Sequence, residues 1–142
     1  MMSTTPTWER RWRRALLDSL IPGGESLPPM AEQELGPFWD RFERRAPEHL
    51  RLGLRIATWA LGALPLLMGY GAPLADLPPQ ERDAVLTRAA RLPLLADLIE
   101  AARIVACFAY FDQPDIQRAV RATPARPTTA RPRDTPAPQQ ER

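Results

Sequence analysis

The sequence predicts an all-α fold: a compact bundle of five or six helices followed by a disordered C-terminal tail. Three observations predict it. Apolar residues recur at helical spacing in one segment after another. Nowhere do apolar and polar residues alternate for long among β-branched types, as a half-buried strand requires. The last 20 residues, from Thr123 to Arg142, hold five prolines and four arginines but no large apolar side chain. Such a segment buries too little surface to offset its ordering entropy. The chain therefore divides into a helical domain over residues 1–122 and a tail over residues 123–142.

The first helix is expected over residues 7–20. Trp8, Trp12, Ala15, Leu16 and Leu20 form one stripe, with Arg10, Arg13, Arg14 and Asp18 mostly elsewhere, and Pro22-Gly23-Gly24 ends it. The second spans residues 30–45 with a break at Gly36-Pro37, and Leu35, Phe38, Trp39 and Phe42 form its apolar side. The third begins at Pro47, a residue suited to a first turn. It opens amphipathic, with His49, Arg51 and Arg55 among leucines, then becomes apolar on every side and runs to Met68. A helix apolar all round is expected to be buried all round, which a domain this small hardly achieves alone. Pro78-Pro79 start a fourth helix whose first turns carry Gln80, Glu81 and Asp83, where the helix dipole favours acids. Leu92-Pro93 divides it from the longest helix, residues 94–111, with a wide stripe through Leu94, Leu95, Leu98, Ile99, Ala102, Val105, Ala106 and Ala109. At "DQPD", Asp112 is expected to cap a last helix, with Pro114 and Asp115 in its first turn and Ile116 and Val120 on one face.

Charge narrows the function classes. The net charge of +2 arises in the tail, whose four arginines face only Asp134 and Glu141, whereas residues 1–122 carry equal numbers of basic and acidic side chains. The folded part has no overall excess to attract a phosphate backbone, so no nucleic-acid partner is expected. All basic residues are arginine. The uncharged run over residues 56–71 is 16 residues long, short of the roughly 20 that a membrane span needs, and is broken by Gly62 and Pro65. Neither a membrane span nor a signal peptide is expected, because Asp18 and Pro22 interrupt the stretch after the paired arginines.

Catalytic chemistry is thinly represented. With one cysteine, Cys107, and one histidine, His49, an intrachain disulfide is impossible and a His/Cys zinc site is not expected. Cys107 lies in an apolar run that favours an inert buried thiol, and His49 falls on a charged first turn. "PGG" at residues 22–24 and "GYG" at residues 69–71 lack the spacing of phosphate loops. Glu32 with Glu34, and Glu81 with Asp83, suit helix starts and solubility. No catalytic residue, cofactor or metal site is expected.

The informative feature is surplus apolar surface. Four Trp, four Phe and two Tyr accompany the apolar third helix in a domain of 122 residues. That points to helices that complete their burial against another protein, with Trp59, Tyr70, Phe108, Tyr110 and Phe111 as candidate anchors. Tyr110 and Phe111 are adjacent on a helix and point about 100° apart, so one of them is left at the border of the core.

The elements "ALLDSLIPGG" and "PPQERDAVLTRAARLPLLADLIEAARIVACFAYFDQPDIQRAV" resemble those of the gluconate 2-dehydrogenase subunit 3 type, the small helical subunit of flavin-dependent, glucose-methanol-choline type dehydrogenases. They also resemble the helical segment preceding the flavin domain of long-chain alcohol oxidases. The resemblance covers about residues 14–120. It implies a non-catalytic accessory subunit that binds a large FAD-dependent alcohol or sugar dehydrogenase and supports its maturation or export. The sequence departs from the family pattern at both ends. Residues 10–14 do not make a twin-arginine export signal, and Ala119-Val120-Arg121 leads into the tail where a Gly-Tyr element is usual. Cytoplasmic location, or co-export with a partner, is expected. The alternatives from other classes are a free-standing helical regulator or nucleic-acid-associated adaptor using its arginines, and a small thiol enzyme using Cys107 with His49.

Overall fold

A computed structural model of the chain describes residues 5–23 and 27–122. They form six helices and no strand: α1 (Thr7–Leu20), α2 (Gly36–Arg45), α3 (Glu48–Leu67), α4 (Pro79–Ala89), α5 (Pro93–Phe111) and α6 (Pro114–Ala122). Two single 3-10 turns, Met30–Glu32 and Leu74–Asp76, lie in the connections. The all-α bundle is as the sequence predicts; the tail expected to be disordered lies outside the described residues.

Proline places most of the helix starts. Pro37, Pro79 and Pro93 occupy the first two positions of α2, α4 and α5, where a missing N–H costs nothing. The break at Gly36-Pro37 is complete. A 3-10 turn precedes it, and the Arg14 guanidinium holds that turn by donating to the carbonyls of Met30 (2.8 Å), Ala31 and Gln33 (2.9 Å). The end of α3 is a Schellman motif. Gly69 takes φ +87°, the Tyr70 N–H donates to the Pro65 carbonyl at 3.0 Å, and the Gly69 N–H donates to that of Leu66 at 3.4 Å. The "DQPD" joint differs from expectation: Asp112 closes α5 instead of capping α6, and its carboxylate pairs with Arg41 of α2. A charge on a distant helix outcompeted the local cap.

α1, α3 and α5 pack on one another to form the centre of the bundle. Leu16 and Leu17 of α1, Leu61 of α3 and Val105 of α5 are fully buried. Ala102, Ala106 and Ala109 of α5 are also fully buried, and their small side chains allow neighbouring helices to come close. The connections contribute as well. Met30, Leu74 and Ile116 are fully buried, so turn and terminal-helix residues close the ends of the core.

Two glycines of α3 give a test of this packing. A Cβ on Gly62 would lie 2.5 Å from Cε3 of Trp12, whereas one on Gly53 would meet nothing within 4 Å. Alanine favours a helix interior over glycine by about 0.5–1 kcal/mol, and overpacking costs about 1–3 kcal/mol. Gly53→Ala is expected to raise the urea midpoint and Gly62→Ala to lower it. Equal shifts for the two would show that Trp12 does not sit against α3.

Candidate protein-interaction surface

Burial on α3 is one-sided. Leu54, Ala57, Thr58, Leu61, Gly62 and Pro65 face inward. On the opposite side Leu52, Ile56, Trp59 and Leu66 follow one another at helical spacing and are exposed, and Leu67 beside them is 87 % exposed. The expectation that this helix is buried all round is therefore corrected. A bundle of this size covers one face of α3 and leaves a second apolar stripe open. α3 is long and apolar enough to cross a membrane by length and composition alone, and a third of its most apolar 18 residues are buried inside the bundle.

α5 repeats the arrangement. Ile99, Ala102, Val105, Ala106, Ala109 and Tyr110 face inward. Leu94, expected on the inward stripe, is instead exposed in the first turn of α5, and Ile104, Phe108 and Phe111 face solvent, Phe108 being 60 % exposed. The last three are spaced four and three apart and so share a stripe.

The candidate anchors separate into two groups. Trp59, Phe108 and Phe111 are on the open faces. Trp59 is 46 % exposed yet held in place: its ring centroid is 5.2 Å from that of Trp8, and the Arg55 guanidinium lies 5.7 Å from it on α3. Trp8 in turn meets Trp12 edge-on at 5.4 Å. A large aromatic side chain fixed before binding loses little freedom when a partner covers it. Tyr110, by contrast, belongs to the domain core. Tyr110 is 3 % exposed, and its hydroxyl donates to the Pro28 carbonyl at 2.6 Å across 82 residues of sequence. Burial pushes the Tyr110 phenol pKa up. Tyr70 is half-buried and packed on the core just beyond the Schellman turn of α3. Tyr110 is not an available anchor, because its ring and hydroxyl are already engaged, whereas Tyr70 is divided between the core and solvent.

Sequence reasoning missed Ile56, Leu66, Leu67 and Ile104 as surface residues. The signal was present in their spacing, which continues the stripes through Trp59 and Phe108. It also placed Arg13 and Arg14 away from the core. Arg13 is in fact largely buried, 4.0 Å from the Trp39 ring centroid and 3.5 Å from a Glu43 carboxylate oxygen. Desolvation lowers its pKa, with Glu43 and Glu9 acting in the opposite direction. Glu9 is buried too. One of its oxygens is 3.4 Å from Nε of Arg55, and the other has no hydrogen-bond partner among the described residues.

Cys107 is half-buried, less enclosed than its apolar run suggests, and His49 is exposed on the first turn of α3. No hydrogen bond joins them among the described residues. Nor do three or more His, Cys, Asp or Glu side chains gather in a group able to hold a metal ion there. No protein-family model, curated protein or solved structure matches this chain.

Proposed function

We propose that this chain is a non-catalytic helical subunit that docks onto a larger protein through the open faces of α3 and α5. The observation that carries this reading is the pair of outward apolar stripes, with Trp59 and Phe108 as their largest exposed side chains. Large aromatic side chains dominate interface energetics, and apolar stripes of this kind are what a partner would cover. The stripes are one-sided and the opposite sides of both helices are committed to the domain core, so we read them as protein-facing and not as a membrane span. For the identity of the partner, the resemblance of residues 14–120 to small dehydrogenase subunits supports a large FAD-dependent alcohol or sugar dehydrogenase. In this reading the flavin and all chemistry belong to the partner, and this chain contributes folding support or stability.

The test is isolation of the tagged full chain from its native cells, with mass spectrometry of what is retained and a flavin absorbance measurement on the complex. A large flavoprotein in stoichiometric amount is expected. Recovery of the chain alone, or with a partner lacking flavin, would contradict the identification.

A further inference from the structure

The arginine-rich segment at the start of α1 lines a cleft that the open faces of α3 and α5 do not use. α1, α2 and the beginning of α3 border it, and it encloses about 740 Å³. Leu17 and Leu35, both buried, contribute its apolar lining. Five arginines line it (Arg10, Arg13, Arg14, Arg44 and Arg51) against two carboxylates, Asp40 and Glu43. Residues 1–122 carry equal numbers of basic and acidic side chains, so this excess is a local segregation of charge. A smaller adjoining cleft of about 410 Å³ shares Arg13, Glu43 and Arg51 and adds Arg55 and Glu48.

The arginines have different commitments. Arg14 is occupied by three backbone carbonyls and by Asp18, and Arg13 by Glu43 and Trp39. Arg10, Arg44 and Arg51 form no ion pair among the described residues. Arg51 donates one N–H to the Glu43 carbonyl at 3.2 Å, and the rest of its fork meets no hydrogen-bond acceptor among the described residues. These three exposed guanidinium groups come from three different helices around one cleft.

We propose that this cleft binds a small polyanion carrying two or more phosphate groups. Arg10, Arg44 and Arg51 contact the phosphates, and Arg13 supplies a fixed charge in the wall. The planar guanidinium fork matches phosphate oxygens two at a time. The volume falls in the range of small-molecule sites, roughly 300–1,000 Å³. Arginines from three helices suit an extended ligand of high charge density, and a terminal phosphate group carries up to two charges where a carboxylate carries one. Burial leaves the Arg13 charge under-compensated despite Glu43 and Glu9, and an incoming anion relieves that. The chain's own tail is excluded as occupant by its sign, since its arginines outnumber its acids.

The test is calorimetric titration of the full chain with inorganic tripolyphosphate at near-physiological salt. Saturable binding of one ligand per chain is expected. Arg10→Gln with Arg44→Gln should weaken it by about tenfold or more, the scale of one charged hydrogen bond. Arg88→Gln with Arg91→Gln, exposed positions outside the cleft, should leave it within about twofold. Tripolyphosphate should also raise the Tm of the wild type more than that of the Arg10/Arg44 variant. Citrate and hexaglutamate should bind more weakly. Absence of saturation, or an equal loss in the Arg88/Arg91 control, would overturn the site. Tighter binding of hexaglutamate would overturn the ligand class in favour of an acidic protein segment.

Discussion

Tyr110→Ala is expected to destabilise the free chain by about 3–5 kcal/mol, the scale of truncating a large buried aromatic side chain. Its neighbour gives the contrast: Phe111→Ala, at a half-exposed position, should cost less than about 1 kcal/mol. Two terms combine at Tyr110. The ring is buried in the core cluster, and its hydroxyl satisfies the Pro28 carbonyl at 2.6 Å. Tyr110→Phe separates them, keeping the ring and orphaning the carbonyl, and should cost about 1–2 kcal/mol. The pH dependence follows from the same burial. The folded-state phenol pKa is raised, so the unfolded chain ionises first, and this contribution is complete below about pH 10 and lost as the pH rises further. Tyr110→Phe should remove that alkaline loss. Urea denaturation of the three variants, with the tyrosine variants repeated at alkaline pH, measures all of this. Equal costs for Tyr110→Ala and Phe111→Ala would mean that both rings belong to the core.

That pair of residues also shows where a sequence stops being informative. Helical spacing establishes that Tyr110 and Phe111 point in different directions. It does not say which faces inward, because the deciding partner is a carbonyl 82 residues away in the connection after α1. The helices themselves were legible because their punctuation is local: Pro37, Pro79 and Pro93 occupy first turns, and Gly69 adopts the left-handed conformation that closes α3. The Asp112 cap was misjudged for the opposite reason, since its carboxylate answers to Arg41 on another helix. Arg13 and Arg14 were misjudged similarly. Nothing beside them in the sequence announces Trp39, Glu43 or the turn at Met30–Glu32. The candidate surface was half legible. An excess of apolar residues was plain, but a helix apolar on every side does not reveal which side the bundle covers.

The second large effect is expected at that surface. Trp59→Ala combined with Phe108→Ala should weaken association with a flavoprotein partner by at least about 2 kcal/mol, the scale of a hot spot. Trp59 is on α3 and Phe108 on α5, and both are about half exposed or more in the free chain, so the stability of the isolated domain should change far less than on loss of Tyr110. Alanine keeps the helices, and far-ultraviolet circular dichroism should be unchanged. Unaltered affinity, with the fold intact, would remove these residues from the interface.

The most direct measurement is hydroxyl-radical footprinting of the chain, free and in complex with its partner, read at single side chains by mass spectrometry. The account predicts that Trp59, Ile104, Phe108 and Phe111, exposed in the free chain, become protected, while Tyr110, already 3 % exposed, changes little. Oxidation of Trp59, Phe108 and Phe111 at the same rate in the complex as in the free chain would contradict the claim that the open faces of α3 and α5 are the docking surface.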